Sequence, residues 1–253
     1  VPFFLDNDSD AKVTHLKNQY FGDIGDYKKY SLLRRLALDA GLRVLVGWML
    51  TDNDARTDGK FIGYLNAPTV WRRYDETVFD FLAQHVLIDN ARRVDAVARY
   101  DLIPNAAFHE AVLADERAAR ERYFDEITCH AAHADLVFFD PDNGLEVKSV
   151  RYGWRNSAKY LYWHEAAATY QTGCSVLIYQ HYPRARRDEF TRRKADELAE
   201  RTGSPAVYSL RTAHAAYFLA TQPQQQIGID NALQVVAAQW GDHFKVTRHS
   251  PCA

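Results

Sequence analysis

The sequence predicts a three-layer α/β fold, in which a mostly parallel sheet is covered by helices on both faces. Two observations carry that expectation. Short apolar runs at residues 43–50, 136–139 and 175–179 are rich in β-branched or aromatic residues and are followed by turn formers, the pattern of buried strands. Longer amphipathic stretches separate them, and a strand-helix-strand-helix order favours a parallel sheet with helices on both sides.

Composition narrows the class. Of 253 residues, 47% are hydrophobic and 25% charged, an ordinary globular balance whose length suits one large domain. The formal net charge of -2 gives no global signal for a polyanion, so a nucleic-acid partner must be read from local clusters. Cys129, Cys174 and Cys252 are odd in number and far apart, which fits neither a metal-ligand pattern nor a disulfide framework. With no apolar run of spanning length and no secretory segment, a cytoplasmic location and no membrane partner are expected. The oligomeric state is left open.

Residues 1–17, with Asp6, Asp8 and Asp10 close together, read as a flexible lead-in to a single α/β domain at 18–253. Asp26 is a candidate N-cap for a helix through 31–38 that Gly41 ends. The strand at 43–50 runs into a polar loop, Thr51-Asp52-Asn53-Asp54, where a nucleotide-binding unit would carry its glycines; only Gly59 is present nearby. Residues 71–87 pattern as an amphipathic helix. Residues 92–100 and 108–113 could hold a short strand and turn, and 115–130 is a helix carrying Arg117, Arg120 and Arg122.

Residues 135–146, Asp-Leu-Val-Phe-Phe-Asp-Pro-Asp-Asn-Gly-Leu-Glu, form the centre of the chain. The apolar run delivers Asp140 and Asp142 into a turn that Pro141 stiffens and Gly144 closes with φ > 0. In open α/β sheets ligands bind beyond the carboxyl ends of the strands, where this turn should lie. A helix is expected over 157–171 and another buried strand over 175–179, ending in Gln180-His181-Tyr182. A basic helix follows, then two strands near 206–210 and 215–220 and a helix over 231–240.

Two runs resemble a known family. Phe21-Gly22-Asp23-Ile24-Gly25-Asp26-Tyr27-Lys28-Lys29-Tyr30 is similar to the N-terminal signature of the large-subunit ribosomal RNA adenine methyltransferases, and Phe139-Asp140-Pro141-Asp142-Asn143-Gly144 resembles their Asp-Pro-Pro-Tyr motif. The resemblance implies a Rossmann-like scaffold, a target-base pocket and S-adenosylmethionine as cofactor. The chain departs from it at Thr51-Asp52-Asn53-Asp54, where the family has its glycine-rich donor loop, and at Asp142-Asn143, where the family has the base-stacking aromatic. The Asp140 turn followed by His181-Tyr182-Pro183 also resembles the water-activating and histidine loops of the uracil-DNA glycosylase superfamily. A fainter likeness joins Asp140 and Asp142 to the Asp-x-Asp of haloacid-dehalogenase phosphatases.

The expected activity is removal of a nucleobase from nucleic acid, DNA by preference, by a cofactor-free hydrolase. Asp140, Asp142 and a cationic His181 are the expected catalytic residues, since carboxylates can orient water and stabilise a developing sugar cation. Asp23, Asp26, Asp52, Asn143, Gln180 and Tyr182 are expected to bind substrate. Lys28, Arg184, Arg186, Arg187 and Arg193 are expected to hold the phosphate backbone. The alternatives are an S-adenosylmethionine-dependent methyltransferase, and a Mg²⁺ nuclease built on Asp135, Glu146 and Lys148.

Overall fold

The computed structural model describes residues 21–51 and 61–249. The lead-in at 1–17 and Asp52 lie outside them. One seven-stranded sheet runs through the described chain. Its first two strands are β1 (Val44–Gly47) and β2 (Ala106–His109), preceded by helix α1 (Ile24–Asp39) and separated by α2 (Pro68–Trp71), α3 (Glu76–Ala83) and α4 (Ala96–Arg99). Next come α5 (Arg117–Ala131), β3 (Leu136–Phe139), the short pair β4 (Gly144–Leu145) and β5 (Tyr160–Leu161), and α6 (Trp163–Gln171). The chain closes with β6 (Ser175–His181), α7 (Arg187–Thr202), β7 (Val207–Arg211), β8 (Ala215–Ala220), α8 (Gln226–Trp240) and β9 (Lys245–His249).

The sheet order is β2-β1-β3-β6-β8-β7-β9. From β2 to β6 every pairing is parallel, while β8 and β9 run against their neighbours. The three-layer α/β class is therefore observed, with a mixed edge at the β9 end. Chain direction reverses at β1: the first crossover leads outward to β2 and the next returns past β1 to β3. That reversal is the switch point at which open sheets admit ligands.

Period-two alternation sorts the strand side chains into two cores. Val44, Val46, Leu136, Phe138, Leu177 and Tyr179 pack with α1, α3 and α8. Leu45, Val137, Phe139, Val176 and Ile178 pack with α5, α6 and α7. No helix among the described residues is long and apolar enough to cross a membrane.

Local chemistry shifts several boundaries. Asp23, rather than Asp26, caps α1: its side chain accepts the Asp26 N–H at 2.9 Å. The helix expected over 71–87 is broken into α2, a 3₁₀ turn, α3 capped by Asp75, and a π-turn at Gln84–Ile88. The segment from 157 begins as a 3₁₀ turn and then β5, because Tyr160 and Leu161 pair with Gly144 and Leu145 before α6 begins.

Candidate functional site

A cavity of about 640 Å³ opens at the carboxyl edge of the sheet, on the α1 side. Its walls come from the first half of α1, the ends of β1, β3 and β6, and the start of β8. Trp48, Tyr179 and Tyr217 supply aromatic surface, and Asp23, Asp26, Asp140 and Asp142 supply carboxylates. This is the size and mixed character of a small-ligand site.

At its centre Lys29 Nζ donates to Asp140 Oδ2 at 2.6 Å and to Asp26 Oδ1 at 3.1 Å, while lying 5.1 Å from the Tyr179 ring centroid. The other Asp26 oxygen accepts the Gly22 N–H at 3.1 Å and the Tyr30 hydroxyl at 3.0 Å. Burial opposes charge on Lys29, but Asp140 and Asp26 outweigh it and hold the ammonium well above the ordinary lysine value. One cation shared by two acids cannot fully neutralise either. At Asp140 desolvation therefore wins over Lys29, and its carboxyl is pushed up to about 6. Asp23 is raised to about 6 as well, by burial first and by the Asp26 charge second.

The Asp140–Leu145 turn is fixed from two sides. Gln180 Oε1 accepts the Leu145 N–H at 2.8 Å, and Gln180 Nε2 donates to the Asn143 and His181 carbonyls at 3.1 and 2.8 Å. Gly144 sits at φ +103°, and a Cβ there would overlap the Gln180 amide. Asn143 N–H bonds the Lys159 carbonyl at 2.9 Å, and the Thr51 hydroxyl bonds Asp142 at 3.0 Å, tying the end of β1 to the turn after β3.

The structure brings Asp23, Asp26, Lys28, Asp140, Asp142, Asn143 and His181 to this one cavity. It separates the others. Strand alternation sends Tyr179 and His181 to the cavity face but Gln180 and Tyr182 to the opposite one, where Tyr182 packs near Phe190 under the Arg187 guanidinium. Gln180 has its hydrogen-bonding groups committed to the turn and does not line the cavity. Arg186 pairs with Glu189 at 2.9 Å and Arg193 approaches Glu197 at 4.0 Å, both along α7. Arg184 is exposed in the loop before α7 and does not line the cavity.

His181 stands at the rim of the cavity, at the end of β6. Desolvation and then the Lys29 charge lower its imidazole from the ordinary histidine value, and the cation bonded to Asp140 is Lys29. Sequence reading passed over Lys29, although Asp26 and Lys29 stand three residues apart and share a helix face. The nuclease trio does not assemble: Asp135 lies before β3 and is bound to Arg43 at 2.9 Å, whereas Glu146 lies beyond the other end of that strand. No group of three or more His, Cys, Asp or Glu side chains among the described residues is placed to hold a metal ion.

No protein-family model matches the chain, and no curated protein matches it.

Proposed function

We propose that the cavity is the active site of a hydrolase that cleaves the N-glycosidic bond of a nucleotide in nucleic acid, DNA by preference. The observation that carries this reading is the Lys29–Asp140 pair, a carboxylate held at 2.6 Å inside an aromatic-walled cavity and lifted to about 6. A carboxylate with such a value is ionised near neutral pH yet basic enough to accept a proton from water. The water oxygen bonds to the sugar C1′ as its proton passes to Asp140. The C1′–N bond breaks, and its electron pair leaves with the base, which takes up a proton from solvent. Asp142, steadied by Thr51, adds negative charge beside the developing sugar cation. His181 at the rim offers a hydrogen bond to the base edge, and Trp48 and Tyr179 form apolar wall.

Oligonucleotides carrying a panel of modified bases, incubated in EDTA, should yield free base and alkali-labile abasic sites, and Asp140→Asn should slow the formation of both by about 10²–10⁴. No free base from any member of the panel would sink the proposal.

A second reading, methyl transfer from S-adenosylmethionine to a base amino group, is favoured by the place of the Asp140 turn beside β1 at the switch point. Against it, the stretch that follows β1, Thr51-Asp52-Asn53-Asp54, carries none of the glycines of a methyl-donor loop. Calorimetric titration with S-adenosylmethionine separates the two, since the hydrolase requires no such binding.

A further inference from the structure

Lys28 lies next to Lys29 on α1 but is placed differently. It is 5% exposed and lines the cavity. Lys29 has two carboxylate partners, whereas Lys28 has no hydrogen bond or ion pair among the described residues. Burial alone holds its ammonium below the ordinary lysine value. A largely buried lysine without a direct ion pair is unfavourable unless an anion arrives from outside.

The start of α1 cannot be that anion's main seat. Its N–H groups are already taken by the protein: Asp26 N–H by the Asp23 side chain, Tyr27 N–H by the Asp23 carbonyl, and Ile24 N–H by the Phe61 carbonyl. The guanidiniums of Arg186 and Arg193 are turned to acids of their own helix. Lys28 lines the cavity together with Lys29 and Lys159, and its ammonium is a compact point charge that binds a phosphate oxygen without needing a planar fork.

We propose that Lys28 receives a phosphate ester group of the ligand inside the cavity, with the attached base on the aromatic walls. The proposal rests on reading the cavity as a nucleotide site. Two sources share this chemistry: a free nucleotide, and a phosphodiester next to an extruded base in a strand. The carboxylates nearby disfavour a second negative charge, so the singly charged diester is the better match.

The test is binding of the four common deoxynucleosides, their 5′-monophosphates and a single-stranded hexanucleotide to wild type, Lys28→Met and Lys28→Gln, followed by calorimetry. Wild type should bind at least one phosphate-bearing ligand tenfold or more tighter than the matching nucleoside. Either substitution should erase that gap and leave nucleoside affinity within about twofold, with circular dichroism reporting that the variants fold. A hexanucleotide tighter than the monophosphates identifies the strand as the source, and equal affinity identifies the free nucleotide. Equal binding of nucleoside and phosphate forms by wild type overturns the proposal without any variant. So does a gap that survives in both variants, or no binding of any phosphate-bearing ligand. Base release without a phosphate advantage defeats the Lys28 assignment alone, and a Lys28-dependent advantage without base release defeats hydrolysis alone.

Discussion

Gln180 on β6 holds Leu145 across the sheet edge, accepting its N–H at 2.8 Å, and so fixes the turn that carries Asp140 and Asp142 without facing the cavity itself. Replacing it by leucine leaves the Leu145 N–H and the Asn143 carbonyl without that partner. The expected cost is about 1–3 kcal/mol in urea unfolding, with slower base release. Gly144→Ala should be of similar size or larger, since φ +103° is strained for alanine and the new methyl meets the Gln180 amide. Unchanged stability in both variants would show that the turn holds itself.

Lys29→Met removes the cation that Asp26 and Asp140 share. Stranding buried charge costs about 3–5 kcal/mol, unless the acids take up protons instead. The Asp140 carboxyl should rise further above about 6, moving the acid limb of the pH–rate profile for base release to higher pH. Asp140→Asn should lower the rate by about 10²–10⁴. An acid limb that stays in place in Lys29→Met would separate Asp140 from catalysis.

The pH dependence of stability has a definite sign. Asp140 and Asp23 are raised to about 6 in the fold from an ordinary carboxyl value of 3.8, so the folded state binds their protons more tightly than the unfolded chain does. Their contribution is greatest below pH 3.8 and is lost as pH rises to about 6. Denaturant titrations between pH 4 and 6.5 should show wild-type stability falling relative to that of Asp140→Asn as pH rises. A slope indifferent to the substitution would contradict the raised value.

Arg120 offers a contrast on the opposite face. It is fully buried, donates to Glu165 at 2.6 and 2.8 Å and to the Ser157 and Tyr160 carbonyls, and joins α5 to α6. Arg120→Met strands Glu165 and should cost about 3–5 kcal/mol by thermal or urea unfolding. Base release measured well below the lowered midpoint should stay at the wild-type level. A rate loss comparable to that of Asp140→Asn would mean that the two faces are coupled.

Much of this arrangement was legible in residue order. The run Leu136–Phe139 forms a strand because four apolar residues are buried on both faces, and Gly144 takes the positive φ that a tight turn after Pro141 requires. Strand alternation in Ser175–His181 already separates His181 from Gln180, a distinction that grouping them by chemistry alone overlooks. Other features had no local signal. β5 forms only because Gly144 and Leu145 offer Tyr160 and Leu161 a partner, and β9 is a half-exposed strand completed by pairing with β7. Asp23 and Asp26 are equally good caps on paper. Lys29, Tyr30 and the Gly22 N–H draw Asp26 inward and leave the capping to Asp23.

The sequence by itself determined the layers, the central strand and the acidic turn, because hydrophobic period and turn chemistry act over a few residues. Tertiary structure decided which charges meet. Lys29 reaches Asp140 across 111 positions of chain, whereas Lys28, one residue earlier, meets no partner among the described residues. Such pairings depend on how a helix settles against a sheet edge, and desolvation there sets the protonation of Asp140, which no spacing along the chain encodes.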